Sequence, residues 1–270
     1  MPAQPDSKMN LRIFWRSAYG LSLWIANTAI FALLLTPFIW LGILTVDKTG
    51  RWPRRILRAM CRVSVRRFCG SNLRIGDFDW SAIQGPCILV ANHQSLIDIL
   101  LLMLLPTDAR CWAKRWPFRV PFLGLMMRLC GHLCVEDPRV LYKAAESLRD
   151  GVSLLVFPEG TRSRDGKLTR FHDGAFLLSA RTGVPVVPVL IRGSGTTMPP
   201  GTFRLVDSPL VIRPLGVLYP DASLDKPHLD LKRRAVNMIA LALESSDEEN
   251  TQSGPRTQPS AISEFKEAAC

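Results

Sequence analysis

The 270 residues are enough for one domain of ordinary size with appendages, and too few for a large multidomain assembly. A formal net charge of +11 favours anionic partners, which leaves nucleic acid or an anionic membrane surface. The 47% apolar share tips that choice to membrane lipid, so no nucleic-acid partner is expected.

From the N-terminus, no charged side chain occurs between Arg16 and Asp47. Leu21 to Val46 is rich in Leu, Ile, Ala and Phe, with Trp24 and Trp40 near its ends, a length and pattern suited to a bilayer. A cleavable signal peptide competes, but its apolar part would be too long and no small-x-small site precedes Asp47. Pro37 divides the run, so a kinked span and a two-helix insertion into one leaflet both stand. Residues 1–47 are therefore expected to be a membrane anchor.

Lys48, Arg51, Arg54, Arg55, Arg58, Arg62, Arg66, Arg67 and Arg74 follow, with no acidic residue before Asp77. This excess places the bulk of the chain on the cytoplasmic side of an inner membrane. The arginines at 51, 55, 58, 62 and 66 keep helical spacing around Ile56, Leu57, Met60 and Val63. Residues 48–76 thus read as a basic amphipathic juxtamembrane helix, either lying on lipid or presenting a solvated face that sets topology.

Beyond Asp77, short apolar runs at Ile88–Val90, Ala109–Ala113, Ser153–Phe157, Val186–Ile191 and Leu210–Val217 predict strands. Between them, Ile97–Leu105, Val140–Arg149, Gly174–Thr182 and Lys232–Glu244 predict helices. The alternation gives an α/β domain over residues 77–244 with buried strands, whose order the sequence does not reveal. From Ser245 to Cys270 the polar composition predicts a disordered tail. The seven cysteines (61, 69, 87, 111, 130, 134 and 270) form no Cys-x-x-Cys pair and no zinc spacing, so they read as core residues or free thiols in a reducing compartment.

Two segments carry chemistry. Ala91-Asn92-His93-Gln94-Ser95-Leu96-Ile97-Asp98 sets an imidazole, a natural general base, near a carboxylate that can orient it. Five steps along a helix turn about 140° past a full turn, so the two meet only if His93 lies in the loop and Asp98 on the first turns of the helix after it. Asn92 or Ser95 could cap that helix, whose amides would then favour an oxyanion or phosphate. An ordinary polar strand–helix turn explains the same residues. In Phe157-Pro158-Glu159-Gly160-Thr161-Arg162, proline stops the strand, glycine permits an unusual backbone and Arg162 offers a fork for phosphate or carboxylate. Arg164, Lys167 and Arg170 extend the positive field, although a solvated surface turn accounts for these charges too.

Taken with Val184-Pro185-Val186-Val187-Pro188-Val189, these segments resemble the glycerolipid acyltransferase family, typified by 1-acylglycerol-3-phosphate acyltransferase, over roughly residues 85 to 195. The resemblance implies a mixed-sheet α/β acyltransferase domain behind an N-terminal membrane-associated helical segment. It implies transfer of a fatty acyl group from acyl-CoA or acyl-carrier protein to a lysophospholipid hydroxyl, giving phosphatidic acid from 1-acylglycerol-3-phosphate. On that basis His93 is the base and Asp98 its partner. Glu159, Gly160, Thr161 and Arg162 would bind the acceptor's glycerol phosphate, with a Glu159–Arg162 pair as the plain alternative. No cofactor and no metal are expected beyond the donor thioester, and the chain has no Gly-x-Ser-x-Gly nucleophile elbow.

The family's middle block is only partly present. Ala113-Lys114-Arg115 and Val120-Pro121-Phe122-Leu123-Gly124 match it, which makes Lys114 and Arg115 candidate phosphate contacts. Its closing arginine is missing at Gly131-His132-Leu133-Cys134-Val135-Glu136-Asp137, and His172 stands where Phe-Lys-x-Gly has its lysine. These departures leave another lysolipid, such as a lyso-ornithine lipid, open as acceptor. His132, set among apolar residues, reads as a packing histidine. Phe118, Phe122, Leu123, Leu125, Met126 and Met127 read as core or as an acyl groove. A catalytically silent membrane-docking protein and a lipid hydrolase are the competing classes.

Overall fold

The computed structural model describes residues 7–30, 37, 50–69 and 72–252. Helix α1 (Ser7–Ile30) starts within the basic lead-in and runs into the apolar stretch. It docks on the domain through residues 16–19: Leu205 donates its amide N–H to Ser17 Oγ at 2.8 Å, and Arg16 pairs with Asp207 at 2.9 Å. Leu11, Phe14 and Trp15 stay exposed. Among the described residues no helix is long and apolar enough to cross a membrane. Most of the expected Leu21–Val46 span, including residues 38–46, lies outside the described residues.

Helix α2 (Arg51–Cys69) is amphipathic as its spacing predicts, but its apolar stripe faces protein. Leu57, Cys61, Val65 and Cys69 are buried in the core, while Arg55, Arg62 and Arg66 face outward. Arg54 is buried too: Nε and Nη2 grip the two oxygens of Asp108 at 2.6 and 3.0 Å, and Nη1 donates to the Cys130 carbonyl. Strand β1 (Leu73–Ile75) then joins the sheet edge. The boundary expected at residue 77 therefore does not separate packing units. Of the apolar residues that sequence periodicity groups with the arginines, Leu57, Ile56 and Met60 pack on the domain's own core, while Val63 stays exposed.

The remaining elements are β2 (Ile88–Ala91), α3 (Asp98–Leu102), β3 (Ala109–Ala113), α4 (Trp116–Arg119), α5 (Leu123–Leu129), β4 (Leu133–Cys134), α6 (Val140–Arg149), β5 (Ser153–Val156), α7 (Gly174–Thr182), β6 (Val186–Arg192), α8 (Ser194–Thr197), β7 (Leu210–Pro214) and α9 (Pro227–Gln252). The strands form one sheet in the order β1-β7-β6-β2-β5-β3-β4. β6, β2, β5, β3 and β4 run parallel, β7 pairs antiparallel with β6, and β1 runs parallel to β7. The sheet is mixed, and its central strands are covered on both faces.

Side-chain alternation divides the core in two. Leu89, Ala91, Leu155, Val187 and Val189 face one layer with Leu57 and Val65 of α2 and Leu101 and Leu102 of α3. Ile88, Val90, Leu154, Val186 and Leu190 face the other with Leu148 of α6, Phe176 of α7 and Leu231 and Ile239 of α9. This explains why the strands read as continuous apolar runs rather than alternating ones.

Helix α9 runs eight residues past the boundary expected at 244, to Gln252. Ser, Glu and Gln are adequate helix formers, so a helix anchored by Leu231, Ala235, Ile239 and Ala242 continues into polar sequence. The rest of the expected tail, 253–270, lies outside the described residues.

Candidate active site

Two neighbouring parallel strands deliver the motif residues to one end of the sheet. β2 ends at Ala91 and leads into Asn92 and His93; β5 ends at Val156 and leads into Phe157, Pro158 and Glu159. The carboxyl ends of parallel strands are where open α/β sheets place their sites.

His93 and Asp98 meet, with His93 in the loop and Asp98 opening α3. His93 Nδ1 lies 2.8 Å from Asp98 Oδ2, and the same oxygen accepts the amides of Gln94 and Ser95 at 2.7 and 2.8 Å. An oxygen that already receives two N–H groups is an acceptor, so Nδ1 donates and the lone pair of the neutral ring sits on Nε2. Asp98 is fully buried and the His93 side chain keeps 15% of its exposure. The Phe157 ring stacks on the imidazole, centroids 4.1 Å apart and planes 20° from parallel.

Neither Asn92 nor Ser95 caps α3. Asn92 is bonded to both backbone polar groups of Ile191, and Ser95 Oγ donates to the Met198 carbonyl at 2.7 Å. The amides of Gln94 and Ser95 point at Asp98, so they serve the dyad and offer no anion site. α3 is only five residues long, too short for the expected dipole contribution to matter.

The second motif wraps the first. Glu159, 4% exposed, accepts the His93 amide on Oε1 at 2.8 Å, and its Oε2 accepts both the amide and the hydroxyl of Thr169 at 2.9 and 2.7 Å. Ser163 in turn donates its amide to the His93 carbonyl at 2.8 Å. Gly160 has φ +66°, and a side chain there would stand 3.4 Å from the ring of His172, whose amide bonds the Pro158 carbonyl. Thr161, Arg162, Arg164, Lys167 and Arg170 are exposed on the loop that follows. Lys114 and Arg115 are exposed where β3 ends, on the far side of β5 from His93. The Val-Pro-Val-Val-Pro-Val segment runs into strand β6, where Val186, Val187 and Val189 are fully buried, and contributes packing.

Sequence reasoning missed the partners of these groups. Phe157 lay within a motif, yet nothing in one dimension aims its ring at His93. Thr169, Ile191 and Met198 carry no local signal. Among the described residues no group of three or more His, Cys, Asp or Glu is placed to hold a metal ion.

Residues 71–192 match the family model described as Acyltransferase, which spans both motifs and all of the geometry above except the Met198 contact. The chain resembles the glycerolipid acyltransferases. A chloroplastic 1-acyl-sn-glycerol-3-phosphate acyltransferase of Brassica napus is 42% identical over 128 residues, covering 45% of this chain and 37% of the relative. The 1-acyl-sn-glycerol-3-phosphate acyltransferase of Saccharomyces cerevisiae is 37% identical over 131 residues, covering 44% and 43%. The matched region thus spans less than half the length of either relative. The crystal structure of the 1-acyl-sn-glycerophosphate acyltransferase of Thermotoga maritima superposes with a TM-score of 0.73 at 23% identity, over 92% of this chain and all of that one. The mixed α/β architecture is therefore an acyltransferase fold.

Proposed function

We propose that this chain transfers a fatty acyl group from a thioester donor, acyl-CoA or acyl-carrier protein, to the free hydroxyl of 1-acylglycerol-3-phosphate, forming phosphatidic acid. The carrying observation is the His93–Asp98 dyad: a buried carboxylate on Nδ1 and an Nε2 whose lone pair is left for a substrate proton. Nε2 takes the proton of the acceptor hydroxyl as its oxygen forms a bond to the thioester carbonyl carbon. The C–S bond then breaks, and the imidazolium returns the proton to the leaving thiolate. No acyl-enzyme is needed, in keeping with a chain that has no nucleophile elbow. Arg162 on the exposed loop is the partner for the acceptor's phosphate, and Lys114 and Arg115 are further candidates.

The lipid substrate asks for a membrane surface. Exposed Phe14, Trp15 and Ile25 on α1 and the outward arginines of α2, with Trp52 among them, suit an anionic bilayer facing the cytoplasm. His172 beside Gly160, in place of the family's lysine, keeps another lysolipid such as a lyso-ornithine lipid as the alternative acceptor.

The test is thiol release from palmitoyl-CoA and palmitoyl-acyl-carrier protein with a panel of lysolipids. Release that requires lysophosphatidate and disappears in His93→Ala supports the reading. Free fatty acid without an acceptor makes the protein a hydrolase, and no release with any pair leaves a membrane-docking protein.

A further inference from the structure

The acceptor-binding role that resemblance gives Glu159 does not suit its surroundings. A ligand for a glycerol phosphate has to present itself to solvent, and an anionic carboxylate repels phosphate. Glu159 is 4% exposed and both of its oxygens already accept hydrogen bonds from protein. Oε1 holds the backbone amide of His93, while Oε2 holds Thr169 through two donors. A charge can stay buried in this way when three N–H or O–H donors replace its water.

Those donors come from two places that have to move together. His93 carries the base. Thr169 lies on the exposed loop that bears Arg162 and Lys167. The loop is tied to the catalytic turn twice more, by the Ser163 amide on the His93 carbonyl and by Gln94 Nε2 on the Gly166 carbonyl. Both backbone polar groups of His93 are thus fixed by the Glu159–Ser163 turn, which leaves only the side-chain torsions, restrained by the Asp98 hydrogen bond and the Phe157 stack.

We propose that Glu159 is a positioning residue acting through His93, and that with Thr169 it forms a brace joining the catalytic base to the phosphate-side loop. This rests on the acyl-transfer reading of the site for its kinetic consequence, not for its geometry. Replacing the carboxylate by an amide keeps the volume but turns an N–H₂ towards a donor, either the His93 amide or Thr169. Base placement then suffers, while the Ser163 and Gln94 ties still hold the loop that carries the arginines. A loss of that kind appears in turnover rather than in acceptor affinity.

The experiment compares wild type with Glu159→Gln, Thr169→Val and Thr169→Ser in the full-length chain. Steady-state kinetics use lysophosphatidate with palmitoyl-CoA or palmitoyl-acyl-carrier protein. In parallel, the rate at which diethyl pyrocarbonate modifies His93 is followed by peptide mass mapping without substrate. Glu159→Gln should lower kcat by about tenfold or more while KM for lysophosphatidate stays within about twofold. Thr169→Val should lower kcat several-fold, Thr169→Ser should recover it, and His93 should change its modification rate in Glu159→Gln and Thr169→Val. A rise in KM with kcat retained in Glu159→Gln would restore the ligand role and overturn the brace. If wild type transfers no acyl group, the acyl-transfer reading fails by itself. The modification rates then decide: a changed rate keeps the brace, and unchanged rates in both variants overturn it.

Discussion

Asn92 completes a backbone ladder with a side chain: its Nδ2 donates to the Ile191 carbonyl and its Oδ1 accepts the Ile191 amide, each at 2.8 Å. The pairing of β2 with β6 has reached Ala91 opposite Val189, and Asn92 carries it one rung further just before the base. Asn92→Ala leaves two buried backbone groups without partners, at a cost on the order of 2–4 kcal/mol. Urea unfolding should show a lower midpoint at an unchanged slope.

Asp98 faces three donors with one oxygen, so Asp98→Asn keeps the shape and spoils the electrostatics. An amide cannot favour the Nδ1–H tautomer as a carboxylate does or stabilise the imidazolium. Turnover should fall by about 10²–10⁴-fold, by analogy with other base–carboxylate pairs. Thiol-release kinetics check this, with circular dichroism confirming that the fold is kept.

Arg162 is exposed and stands one residue from Ser163, whose amide holds the His93 carbonyl. A charge-assisted contact with phosphate contributes about 1.5–3 kcal/mol, so Arg162→Ala should raise KM for lysophosphatidate roughly 10–100-fold. Arg162→Lys should recover part of that loss, because it keeps the charge and loses the fork. Initial rates measured across a range of lysophosphatidate concentrations decide it.

His132 accepts the Cys111 amide on Nδ1 at 2.9 Å within the core. Burial, aided by Arg54 and Arg110 and opposed by Asp108, pushes its pKa down from 6.5 to about 3. Between those values the unfolded chain binds a proton that the folded chain refuses. Stability should therefore fall as the pH drops from 6.5 towards 3. His132→Asn retains an acceptor without a proton to bind, and thermal melts across that range should show a shallower acid loss than wild type.

Gly193 and Gly183 both have positive φ, +82° and +74°, but differ in their neighbours. A side chain at Gly193 would stand 1.9 Å from the Pro209 carbonyl oxygen, while nothing lies within 4 Å of one at Gly183. Gly183→Ala should cost about 1 kcal/mol, and Gly193→Ala clearly more, because backbone has to move as well. Paired melting curves test the contrast.

Much of this was legible in one dimension. The central strands and α6 and α7 stand where apolar runs and their periodicity put them, and Asp98 does reach His93 by opening the helix after the loop. The short pieces were not. β1 and β4, of three and two residues, and α4, α5 and α8 are too brief to show a period. α2 misled for another reason: an amphipathic pattern says that one face is buried and is silent about whether lipid or protein buries it. Glu159 illustrates the same limit, since a charged residue in a turn gives no sign that Thr169 and the His93 amide will enclose it.

Asp98 fastens the His93 turn locally, but its other ties reach far along the chain, from Asn92 to Ile191, His93 to Glu159 and Ser95 to Met198. During synthesis His93 and Asp98 therefore emerge long before the distant segments that fix their backbone. A chain grown only as far as Arg162 holds His93, Asp98 and Glu159 but not yet Ser163, Thr169, Ile191 or Met198, which tie them in place. The turn is complete only when β6 and the segment to Met198 close over residues made about a hundred positions earlier.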